Sequence, residues 1–104
     1  MPKKNNNLKL NGEVWLWGYD TNAPWHFVSI PQKETTQIKK DFGALSRGWR
    51  SLPVSVTIGK SIWQTSIFLD SRTDSYLVPL KATIRKKEGV YKGDLIKFSI
   101  KILV

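Results

Sequence analysis

Val78-Pro79-Leu80-Lys81-Ala82-Thr83-Ile84-Arg85-Lys86-Lys87-Glu88-Gly89 decides the architecture, read together with the runs on either side of it. The strand before it, Ser75 to Val78, is stopped by a proline, which withdraws a backbone donor from any ladder. A helical turn follows and reaches a glycine. The run after it sets Ile96, Phe98, Ile100, Ile102 and Val104 on one side and Lys97, Ser99 and Lys101 on the other, the two-residue period of a half-buried strand. The same pattern stands earlier in the chain. Ile30-Pro31, Lys33, Thr35, Ile38-Lys39-Lys40 and Gly43 correspond, after a two-residue deletion, to Val78-Pro79, Lys81, Thr83, Ile84-Arg85-Lys86 and Gly89. Two such units in tandem imply two halves about an approximate twofold axis.

Working outward, Leu8, Leu10, Val14 and Leu16 alternate with Lys9, Glu13, Trp15 and Trp17, which predicts a first strand over 8–17 with a bulge at Asn11-Gly12. Residues 19–24 read as a loop, 25–30 as a second strand, and 33–42 as a helix whose following Gly43 is placed to take the left-handed cap conformation. Residues 44–53 have no period and read as a loop. Val54, Val56 and Ile58 alternate with hydroxyls up to Gly59-Lys60, a two-residue type II′ reversal, and Ser61 to Leu69 returns as its partner strand. A polar turn over 70–74 leads back to the deciding stretch. The fold class expected from these runs is mostly all-β, with one or two short helices and an internal pseudo-twofold.

The 104 residues suffice for one domain and not two. Residues 1–7 are expected to be a disordered basic, Asn-rich tail, and 8–104 a single domain. The absence of cysteine excludes disulfide frameworks, thiolate metal sites and a Cys nucleophile. The N-terminus lacks the apolar core of a signal peptide and no stretch approaches a membrane span, so a cytoplasmic monomer is expected, with no membrane partner. Seventeen Lys and Arg against eight Asp and Glu give a net charge of +9, which favours anionic partners.

Six separated motifs occur in order: Trp25-His26-Phe27-Val28-Ser29-Ile30-Pro31, Val54-Ser55-Val56-Thr57-Ile58-Gly59, Trp63-Gln64-Thr65-Ser66, Tyr76-Leu77-Val78-Pro79-Leu80-Lys81, Ile84-Arg85-Lys86 and Gly93-Asp94. With these the chain resembles the domain-of-unknown-function family numbered nineteen-oh-five, from about Trp15 to Ile102. More distantly, the stretch from Val78 to Leu95 resembles the swapped-hairpin motif of transition-state regulators and antitoxins. The resemblance implies a double-split β-barrel with short helical caps and brings no established activity. In some relatives the domain is joined to a small helical region of bacteriocin-protection type, and a role needing that region is not expected of these residues.

No catalytic set is visible, so no enzyme is expected. The one histidine, His26, shares a strand face with Val28 and Ile30 and reads as a packed or edge histidine, since a general base needs an orienting partner. A lone imidazole without an acidic cluster makes no metal site, and no Gly-rich phosphate loop or Gly-x-Ser-x-Gly elbow is present, so no cofactor is expected. What remains is binding. Trp25, Trp63, Thr65, Ser66, Tyr76, Lys81 and Arg85 combine aromatic, hydroxyl and cationic groups around the Pro-interrupted strands, and suit a groove for an anionic small molecule or a peptide. The alternative is nucleic acid, held by Arg47, Arg50, Arg85, Lys86, Lys87 and Lys92, with Trp15 and Trp17 as stacking surfaces if they are exposed and not covered by the Trp49 loop.

Overall fold

The computed structural model describes residues 6–18, 24–46 and 50–104. Its elements follow the order β1 (Asn7–Trp17), β2 (Trp25–Ser29), α1 (Gln32–Phe42), β3 (Ser51–Ile58), β4 (Ser61–Asp70), β5 (Ser75–Pro79), α2 (Ala82–Glu88) and β6 (Leu95–Ile102). Two strands, a helix and a strand are thus laid down twice. The six strands close into an antiparallel barrel in the order β1-β2-β5-β4-β3-β6. Among the described residues no helix is long and apolar enough to cross a membrane.

Strand parity fills the barrel. Val14, Val28, Ile30, Leu52, Val54, Val56, Ile67, Val78, Ile100 and Ile102 are almost wholly buried, and outside β5, where Tyr76, Leu77 and Val78 are buried in succession, their alternation with half-exposed or exposed neighbours is the two-residue period made physical. α1 plugs one end with Thr35, Ile38 and Phe42, and α2 covers another part with Ile84. The turn before β5 is tied to α1 by Lys39, whose ammonium meets Asp74 at 3.0 Å.

The two halves also share hydrogen bonds. Ile30 N donates to Tyr76 O at 2.9 Å, and Leu80 N donates to His26 O at 2.9 Å. The Thr35 amide donates to Pro31 O, and the Arg85 amide to Lys81 O. Thr35 Oγ1 and Arg85 Nε each donate to the carbonyl five residues back, Ile30 and Leu80, both at 3.1 Å. Structurally, then, Ile30 answers to Leu80 and Pro31 to Lys81. The echo in the sequence, which matches the two prolines, is displaced from this correspondence by two positions before its two-residue deletion and by four after it, because proline fits either end of the strand-to-helix corner.

Several boundaries differ from those expected. β1 runs without a bulge: its register against β6 is continuous from Asn7↔Lys101 to Glu13↔Leu95, with Gly12 opposite Ile96. Asn7 therefore belongs to the sheet and not to a tail, and the carbonyl of Asn6 accepts from Ile102 N. Gly43 is right-handed (φ −56°, ψ −36°), because the chain continues into a 3-10 turn over Gly43–Leu45 instead of ending. It is Gly89 that takes the left-handed cap, at φ 63°. β3 begins at Ser51, inside the expected loop, since Leu52 is buried in step with Val54 and Val56. Gly59 carries the positive φ of 55° that the hairpin turn required. Val104 lies beyond β6 and is exposed.

Candidate functional site

The two halves differ where each hairpin splits open. In the first, the β1–β2 ladder runs down to Val14↔Val28. In the second, the β4–β5 ladder stops at Phe68↔Leu77, one pair short of the corresponding Ile67 and Val78. Beyond that point β4 and β5 diverge. Carried through the register, Val14 answers to Ile67, so Gly12 answers to Thr65 and Leu10 to Trp63.

The sequence reason is local. A Cβ on Gly12 would stand 2.5 Å from Val28 Cγ2 and 3.0 Å from Ser29 O, so β2 lies against β1 where a side chain would hold it off. At the equivalent place the second half carries Thr65, and a cleft of about 230 Å³ opens, lined by Trp25, Trp63, Gln64, Thr65, Pro79, Leu80 and Lys81. The corresponding surface of the first half is a wider depression of about 370 Å³, lined by Asn7, Leu8, Lys9, Leu10, Asn11, Pro31 and Glu34. There proline stands in the place of Lys81, the Lys9 ammonium is accompanied by the Glu34 carboxylate, and no aromatic ring is present.

Four residues expected in the groove, Trp25, Trp63, Thr65 and Lys81, therefore meet in one cleft. Tyr76 does not join them: it is 1% exposed inside the barrel, and burial raises its phenol above the ordinary value of 10.0 despite a smaller lowering hydrogen bond with Ser46. Ser66 sits on the outer strand face, opposite Pro53. Arg85 stands behind the cleft, where Nε donates to Leu80 O and Nη1 lies 3.2 Å from His26 Nε2. With the Leu80 N to His26 O and Arg85 N to Lys81 O bonds, it fixes the corner that carries Lys81. Gln64, Pro79 and Leu80 could have been found only from the divergence of β4 and β5, which is a long-range property.

His26 is a structural partner of this corner. Burial first, then the Arg85 guanidinium, hold its imidazole below the ordinary 6.5, against a raising effect of the Pro24 carbonyl. The unfolded imidazole is the easier one to protonate, so its contribution to stability is complete above pH 6.5 and is lost as pH falls from there through the folded value. Arg85→Met is expected to move the folded value back toward 6.5. An NMR titration of the single histidine checks this, and an unchanged value in the variant would contradict the assigned cause.

A second opening lies on the outer face of β1, β2, β5 and β4. It is an open groove of about 1010 Å³ lined by Trp15, Trp17, Trp25, Phe27, Phe68, Leu69, Arg72 and Leu77. Trp15 is half-buried, its Nε1 donating to Ser29 Oγ at 2.9 Å, whereas Trp17 is exposed. Trp49 and Arg47 lie outside the described residues.

The other cations expected to meet a polyanion are scattered. Arg50 is exposed, with a left-handed φ of 53°; Lys86 and Lys87 are exposed on α2, and Lys92 in the loop after it. On the outer wall of β1, β6 and β3, however, the pairs Lys9↔Ser99, Ser99↔Thr57 and Lys101↔Ser55 set lysines beside hydroxyls. Among the described residues no three of His, Cys, Asp and Glu gather as metal ligands would.

Residues 11–100 match a family model described as "Domain of unknown function (DUF1905)". No curated protein matches the chain.

Proposed function

The chain belongs to this family of domains without an assigned activity, and from that premise we propose that it is a binding domain which seats a small carboxylate- or phosphate-bearing molecule in the gap between β4 and β5. The observation that carries this reading is the asymmetry of the two splits. One fold unit is used twice, and only the copy with Thr65 in place of Gly12 opens onto two indoles, a hydroxyl, an amide and an ammonium. The Thr65 hydroxyl, the Gln64 amide and the Lys81 ammonium supply donors for an anion, and charge-assisted bonds of that kind are the strong ones. Trp25 and Trp63 supply the apolar walls that orient a small ligand.

Lys81→Met is expected to weaken anion binding about tenfold, the loss of one partly solvated charged hydrogen bond. Lys86→Met, on the helix that begins just after Lys81, serves as control and is expected to change nothing. A screen of short mono- and dicarboxylates and phosphate by NMR checks this, and equal affinity in wild type and Lys81→Met would reject the site.

The lysine and hydroxyl wall of β1, β6 and β3 favours a second reading, polyanion binding. Three neutralised phosphates would give log affinity a slope of about −2 to −3 against log salt. A flat salt response rejects it.

A further inference from the structure

We propose that the outer aromatic groove and the β4–β5 cleft are two parts of one site, and that its ligand is an aromatic acid: a planar ring system laid in the groove with its carboxylate at Lys81. This rests on the anion reading of the cleft and names the ligand class it would take.

Trp25 borders both openings. Phe27, in the groove, pairs with Pro79, in the wall of the cleft, so the two spaces meet along one edge of the β2–β5 ladder. The groove is also far more apolar than an ordinary surface. Trp17 and Trp25, a cross-strand pair, remain 53% and 58% exposed, and Phe68, 36% exposed, continues the patch onto β4 beside its buried ladder partner Leu77. Single exposed apolar residues are common; a contiguous patch of this kind on a soluble domain marks a binding surface.

The shape of the wall selects a flat ligand. The Trp25 and Phe27 rings lie 10° from parallel with centroids 6.0 Å apart, and Trp15 tilts 40° against Phe27 at 5.3 Å. Rings presented this way accept a further ring by offset stacking. Four adjacent strands at a spacing of ~4.8 Å make the wall about 14 Å wide, room for a fused two-ring system. Charge fixes the orientation. Arg72, at one end of the groove, already meets the Asp70 carboxylate at 3.4 Å, whereas Lys81 stands exposed at the other opening, where the acid group belongs.

The test is an NMR titration of the full chain with acetate, naphthoate and dodecanoate, following the Trp indole N–H signals and the single His26 imidazole. Naphthoate is expected to bind at least tenfold more tightly than acetate and to compete with it. Trp17→Ala and Phe68→Ala, both on the outer face of the barrel, are expected to weaken naphthoate several-fold and leave acetate unchanged. Equal affinities for acetate and naphthoate would overturn the aromatic-acid class while leaving the anion reading intact. Tighter binding of dodecanoate would overturn the planar body, and undiminished naphthoate binding in Lys81→Met would overturn the union of the two openings. No shift with any of the three acids would overturn both this proposal and the reading it rests on.

Discussion

Gly12→Val is expected to remove about 3 kcal/mol of stability, at the upper end of what overpacking costs, and to do so at a position half-exposed in the middle of a regular strand. The added Cβ alone would approach Val28 Cγ2 to 2.5 Å and the Ser29 carbonyl to 3.0 Å. Val28 is wholly buried and faces Val78 across the β2–β5 ladder, so neither it nor the carbonyl can retreat without parting β1 from β2. Against a typical total of 5–15 kcal/mol, such a loss is visible in any chemical denaturation midpoint. Gly12→Ala should fall between wild type and valine. Thr65→Gly, the reciprocal change, should cost only the roughly 0.5–1 kcal/mol of a strand glycine. A Gly12→Val variant as stable as wild type would mean that the first split is not closed by the missing side chain.

Thr35→Val should cost about 2 kcal/mol although shape and volume are kept. Thr35 is fully buried, and its Oγ1 donates to Ile30 O at 3.1 Å while accepting from Tyr76 N at 3.3 Å. Valine leaves the Tyr76 amide without that acceptor inside the barrel, and an abandoned buried donor costs about 1–3 kcal/mol. For a domain of this size that is a fall in Tm of roughly 10 °C. Thr35→Ser keeps the oxygen and should lose less. A neutral valine variant would show that the hydroxyl does not bridge α1 and β5. The corresponding place in the second half is occupied by Arg85, which reaches His26 instead of a backbone amide; there the same junction is held by a longer, charged and partly solvated side chain.

The strands and helices were legible because each rests on local periodicity. The alternation in Val54–Ile58 and Ile96–Ile102 and the turn at Gly59-Lys60 act within a few residues, whereas Pro79 does not end its strand as expected: β5 includes it, paired with Phe27. What was not legible depends on contacts far apart in sequence. Gly12 looked like a bulge because a glycine inside a strand serves either a bulge or a close approach, and only the position of Val28 and Ser29 tells which. Gly43 looked like a cap because the 3-10 turn that continues α1 has no periodic signature. Tyr76 looked like a groove residue because an aromatic carrying a hydroxyl fits a core or a cleft equally well until its neighbours are known. The outer aromatic face was half-legible: Trp15 and Trp17 stood on the polar side of their strand, but Phe27, Phe68 and Leu77 join them only once β1, β2, β5 and β4 are set side by side.

The pseudo-symmetry supplies its own control for the central claim, that the gap beside Thr65 receives an anion and its counterpart beside Gly12 does not. The most direct measurement is a map of backbone amide shifts as a short carboxylate is titrated into the whole chain. Saturable shifts at Gln64, Thr65 and Lys81, with Asn11 and Gly12 unmoved, are the predicted result. Shifts of equal size at both places, or at neither, would contradict it.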